Sequence, residues 1–131
     1  MKPSFVKNFG RAKFLGKILE HKIDATNQSF GRLASKIASI LRGKTSPNFQ
    51  PYLMPQEKVL VENISKIKFT GKKFENKIYY SHSKYPGSIK ARTLKERWAK
   101  NPSEVLKKTV LDMLPKNKLQ RKIIQNLIIK S

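Results

Sequence analysis

Apolar positions along the chain mark its elements before any count of residue types does. Phe30, Leu33, Ala34, Ile37, Ala38 and Leu41 recur at i, i+3, i+4, i+7, i+8 and i+11, which predicts an amphipathic helix. Thr26, Asn27 or Ser29 can cap its start, and Gly43 sits where a C-terminal glycine belongs. Lys22 to Ala25 reads as a short strand ahead of it. Pro47, Pro51 and Pro55 interrupt regular structure from Thr45 to Gln56, a surface loop. Val59-Leu60-Val61, between Lys58 and Glu62, suits a strand buried on both faces.

Further on, Ile67 to Thr70 and Lys77 to Tyr80 read as two more short strands, with Gly71-Lys72-Lys73 as a basic turn between them. Tyr85-Pro86-Gly87 makes another turn. Helices are expected over Thr93 to Lys100 and Ser103 to Leu114, the second capped by Ser103 and ended by Pro115. Leu119, Ile123, Ile124, Leu127 and Ile128 form a last apolar stripe, on a helix opened by the basic turn after Pro115. Alternation early and helices later indicate an α/β domain with helical additions. It spans 21–131, behind an extended basic arm over 1–20 that shows no firm periodicity.

Charge changes the picture most. Twenty-nine Lys and Arg stand against eight acids in 131 residues, a formal net charge of +21. A small domain stays soluble with a net charge of roughly 2–8, so this excess calls for a polyanion, and nucleic acid is the natural one. Residues 1–19, 25–56 and 113–131 hold no acid at all, so several separate surfaces are basic. The absence of cysteine excludes disulfides, thiolate zinc sites and a Cys nucleophile. Two histidines, His21 and His82, are too few for a zinc site without carboxylate help. No apolar run approaches the ~20 residues of a membrane helix.

Candidate chemistry reduces to binding. Arg42-Gly43-Lys44-Thr45 has the ending of a phosphate-binding loop, but the first glycine of that motif falls on Ala38, and the Gly-Lys follows a helix instead of opening one. His82 lies between Ser81 and Ser83 without a nucleophile elbow, and its nearest acid in sequence is Glu75. No enzyme, cofactor, metal or small-molecule substrate is expected. Arg32, Lys36 and Arg42 share the polar face of the first helix, and Lys44 follows it. Lys72, Lys73, Lys77, Tyr79, Tyr80, His82, Lys84 and Tyr85 interleave cations and rings, as contact with phosphates and unpaired bases requires. The alternative for the tyrosines is strand alternation, one ring facing the core and the next solvent. Lys116, Asn117, Lys118 and Arg121 form a basic turn at a helix start, which suits phosphate or is an ordinary junction with exposed lysines. Lys90 and Arg92 complete the candidate RNA-binding set.

Taken in order, several stretches resemble the large-subunit ribosomal protein L thirteen family of bacterial and organellar type. They are Asp24-Ala25-Thr26, Phe30-Gly31-Arg32-Leu33-Ala34-Ser35, Leu41-Arg42-Gly43-Lys44, Val59-Leu60-Val61-Glu62-Asn63, Thr70-Gly71-Lys72-Lys73, Lys77 to Gly87, and Met113-Leu114-Pro115-Lys116-Asn117. The resemblance implies a three-layer α/β/α fold around a small, mostly parallel sheet, with a helical C-terminal part. It implies binding to large-subunit ribosomal RNA in early assembly, beside neighbouring large-subunit proteins and away from membranes, in a cytoplasmic ribosome or that of a mitochondrion or plastid. It makes Arg32, Arg42, Lys44, Lys72, Lys73, Lys77, His82, Lys116, Asn117 and Lys118 the leading contacts. Lysines would act as point charges, arginines as forked donors, and Tyr79 or Tyr85 as stacking groups. A free RNA-binding regulator of translation is the alternative function.

Overall fold

The computed structural model describes residues 19–130. The basic arm expected over 1–20 therefore lies almost wholly outside the described residues; its last position, Glu20, opens the first strand.

Three strands form a parallel sheet in the order β1 (Glu20–Asp24), β2 (Lys58–Glu62), β5 (Leu127–Ile129). Parallel neighbours need a crossover, and α1 (Phe30–Leu41) with the proline-rich loop supplies the first. Register aligns His21 with Val59 and Leu127, and Ile23 with Val61 and Ile129, so these side chains share the face that meets the core. The helical stripe read from the sequence is the one buried: Leu33, Ala34, Ile37 and Leu41 are wholly inaccessible. Each of the larger ones contributes about 1.5–3 kcal/mol of transfer free energy. Helix α4 (Pro102–Met113) lies against α1 and closes the core with Val105, Leu106 and Val110. The topology matches the three-layer α/β/α class with a small, mostly parallel sheet and a helical C-terminal part.

A second, two-stranded sheet is antiparallel: β3 (Ile78–His82) pairs with β4 (Ile89–Thr93) across the Tyr85-Pro86-Gly87 turn. Short helices flank it, α2 (Lys73–Asn76) before and α3 (Leu94–Lys100) after. Phe30, Phe69, Phe74 and Trp98 join this unit to α1, with ring centroids 4.9–5.7 Å apart and Trp98 edge-on to both Phe30 and Phe69.

Several expectations are corrected. Ile67–Thr70 is not a strand: Lys68 makes one bridge, to Ser29, and its partner chain then turns into α1, so no ladder can extend. The last apolar stripe is not one helix. It divides into α5 (Gln120–Ile123), a 3-10 turn over Ile124–Asn126, and β5, because β2 offers a free edge to its end. Val59 and Val61 are fully buried but Leu60 only half, so β2 is sealed on one face. The cap of α4 is Asn101, whose Oδ1 accepts from the Glu104 amide at 3.4 Å, while Ser103 lies inside the helix. Ser29 stands at the start of α1 without a side-chain capping bond. The Thr26 hydroxyl donates instead to Asp24, at 2.7 Å.

Candidate nucleic-acid interface

The strongest convergence of candidate cations lies where α1 meets α2. Arg32 from the first turn of α1, Lys73 from α2 and Lys77 from its end line one cavity of about 500 Å³ with Ser29, Gly31 and Thr70. The sequence places them there by two separate devices. Helical spacing turns Arg32 away from the Leu33 stripe, and the aromatic cluster through Phe69 and Phe74 clamps α2 beside Phe30. The first turn of α1 carries no acid, so nothing of opposite sign occupies its positive end. Among the described residues one lysine–carboxylate ion pair forms, Lys108–Asp112 at 3.1 Å, and it involves none of the candidates.

The other candidates spread outward from this point. Lys36 is exposed one turn further along α1. Arg42 is half-buried, its guanidinium 5.9 Å from the Phe49 ring centroid, on a second cavity of about 520 Å³ shared with Leu53 and Met54. Lys44 is exposed beyond Gly43, whose φ of +76° gives α1 its left-handed exit. Gly43-Lys44 thus follows the helix, and Thr45 bonds the buried Glu57 at 3.1 Å. Lys72 is exposed at the start of α2. Lys116, Lys118 and Arg121 are exposed around α5, where Asn117 Oδ1 accepts from the Gln120 amide at 3.0 Å. That turn begins three residues beyond Met113, which lines the first cavity.

On the hairpin the structure separates what the sequence ran together. Tyr79 turns inward: the Lys77 ammonium at 5.1 Å and the Arg97 guanidinium at 5.0 Å both face its ring, and its hydroxyl is buried without a partner. Two intramolecular cations already face the ring, each worth roughly 0.5–1 kcal/mol at such sites. Tyr80 points the other way and is 70% exposed; Tyr85, at the turn, is 80% exposed. His82 is exposed, with Nδ1 3.1 Å from the Ser83 carbonyl and no acid beside it. Lys84, Lys90 and Arg92 are exposed as well. Arg97, which holds Tyr79, was missed from the sequence because only the fold brings α3 under β3. Strand alternation puts Tyr79 and Tyr80 on opposite faces, and the packing of α3 decides which of them is covered.

One carboxylate organises the turn into α1. Asp24 Oδ1 accepts from the Thr26 amide at 3.0 Å, the Thr26 hydroxyl at 2.7 Å and Asn63 Nδ2 at 3.0 Å. These bonds, the Thr26 hydroxyl first, and the nearby Lys66 hold its carboxyl below the usual carboxylate range. Among the described residues no group of three or more acids and histidines is placed to hold a metal, and no helix is long and apolar enough to cross a membrane.

A small α/β core whose candidate cations form no ion pair with a carboxylate among the described residues defines a structural, polyanion-binding class of domain. Comparison with known proteins narrows the class. The model of the family described as ribosomal protein L13 matches residues 19–129. The chain is similar to the large ribosomal subunit protein uL13 of Roseiflexus sp. (strain RS-1), 50% identical over 107 residues, 82% of this chain and 73% of that protein. It is 49% identical over 105 residues to the protein of the same name from Listeria welshimeri, covering 80% and 72%. Against that of Mycoplasmopsis synoviae it is 47% identical over 107 residues, covering 82% and 74%. The chain belongs to the ribosomal protein L13 family, whose members are structural and non-catalytic.

Proposed function

We propose that this protein is a structural constituent of the large ribosomal subunit, binding and organising large-subunit ribosomal RNA by neutralising its phosphates from early in assembly. Family membership supports the ribosomal role. The observation that carries the mechanism is the cavity at Arg32, Lys73 and Lys77, three cations from two elements converging without a carboxylate. Arg32 offers a planar fork and the lysines point charges, a set that suits one or two backbone phosphates. Exposed cations on α1, the hairpin and α5 extend contact over several surfaces, which fits cross-bridging of RNA segments. Neighbouring large-subunit proteins are further partners, in a cytoplasmic or organellar ribosome.

Two measurements test this reading. A tagged copy should sediment with the large subunit through a high-salt wash, and recovery only in light fractions would favour a free RNA-binding regulator. Against isolated ribosomal RNA, log K should fall linearly with log salt. Replacing Arg32, Lys73 and Lys77 together by Gln should flatten that slope by about 0.7–1.8, the loss of one or two phosphate contacts at 0.7–0.9 each. An unchanged slope refutes the phosphate role of this cavity.

A further inference from the structure

The hairpin has two chemically different faces. Register pairs Ile78 with Thr93, Tyr80 with Ala91 and His82 with Ile89, so these six side chains share one face. Tyr79, Ser81, Lys90 and Arg92 share the other. On a chain of net charge +21, the first face holds no lysine, arginine or acid. It is not covered either: Tyr80 and Ile89 are each 70% exposed and Ile78 is 44% exposed. Tyr85 continues the exposed apolar surface at the turn.

We propose that this uncharged face is a stacking platform for unpaired RNA bases, with Tyr80 as its principal ring, His82 beside it and Ile78 and Ile89 as apolar flanks. The proposal rests on the RNA-binding reading above and adds which part of the RNA is touched, and where. A face without lysine or arginine offers phosphates little, whereas bases present apolar π-faces that stack on exposed rings. Tyr80 and His82 are two residues apart on one strand, about 7 Å, a separation that lets each meet a different splayed base. Size argues against a protein partner. Two five-residue strands offer a footprint of roughly 17 by 10 Å, far below the ~800 Å² per side of a stable protein interface. Lys84, Lys90 and Arg92 stand at the turn and on the reverse side, where they neutralise the backbone of the same strand.

The test uses the full chain with a single-stranded 12-nucleotide RNA carrying 2-aminopurine and a duplex of equal length. Tyr80→Leu, an exposed change that preserves bulk, should weaken single-strand binding about 5- to 100-fold. It should leave duplex affinity and the salt slope unchanged and abolish the 2-aminopurine quenching seen with the unmodified protein. Tyr80→Phe should retain both affinity and quenching. Lys90→Gln with Arg92→Gln should instead flatten the single-strand salt slope by about 1.4 while quenching persists. The platform is refuted if Tyr80→Leu leaves single-strand affinity and quenching intact, as a protein-facing surface would. Equal weakening on single strand and duplex refutes it too. Failure of the unmodified protein to bind either RNA in a salt-dependent way overturns the RNA-binding reading itself, a result no Tyr80 variant can mimic.

Discussion

Two glycines at opposite ends of α1 should respond to the same methyl group with opposite signs. Gly43 leaves the helix at φ +76°, and a Cβ built there lies 3.1 Å from the Pro55 Cβ. An L-residue in the left-handed region costs about 1–2 kcal/mol, and Pro55 must also give way by a few tenths of an ångström, so Gly43→Ala should destabilise by about 2 kcal/mol. Gly31 lies in the first turn, with helical backbone and no atom within 4 Å of its built Cβ. Gly31→Ala therefore removes unfolded-state entropy at no steric cost and should stabilise by about 0.5–1 kcal/mol. Urea unfolding followed by far-ultraviolet circular dichroism reads both. With a slope of about 1–2 kcal/mol per molar, the Gly43→Ala midpoint should drop by about 1–2 M and the Gly31→Ala midpoint rise by about 0.5 M, slopes unchanged. A Gly43→Ala midpoint at or above that of the unmodified protein would refute both the left-handed exit and the close approach of Pro55.

Two further predictions follow from local hydrogen bonding. Asn101→Ala should cost about 1 kcal/mol by uncapping α4, while Ser103→Ala, inside the helix, should leave the urea midpoint nearly unmoved; the reverse order would restore Ser103 as the cap. The folded-state pKa of Asp24 lies below its ordinary 3.8, so its contribution is complete above about pH 4 and disappears as pH falls through the lowered value. Thermal melts should show the unmodified protein losing its advantage over Asp24→Asn as pH falls below about 4, and a gap that stays constant on acidification would remove Asp24 as the organiser of the turn.

Much of this architecture was legible because it depends on near neighbours. The α1 stripe, the left-handed glycine after it and the α3 start at Thr93 all act within a turn or two of sequence. What failed were positions where local preference was indifferent. Ile67–Thr70 has strand composition, yet finds only one pairing partner before the neighbouring chain coils. Leu127–Ile129 fits a helical stripe, and pairing with β2 draws it into the sheet. Strand β4 went unassigned although Ile89-Lys90-Ala91-Arg92 alternates: neither of its faces is buried, so no apolar stripe marks it, and it is a strand by pairing with β3.

The candidate interface divides along the same line. Charge excess, the acid-free segments and the family motifs are properties of composition and order, so the sequence by itself determined that this is a polyanion-binding, non-catalytic ribosomal protein of α/β class. Tertiary structure decided which cations act together, since Arg32 and Lys73 are 41 residues apart and meet only because Phe30, Phe69, Phe74 and Trp98 pack α2 and α3 onto α1. It also decided which tyrosine is free. Tyr79 and Tyr80 are chemically identical neighbours, and the fold distinguishes them by setting Arg97 beneath one and solvent above the other. Pairwise proximity across long stretches of chain has no signature in composition or period, because it arises from burying aromatic and aliphatic surface wherever the whole chain can reach it.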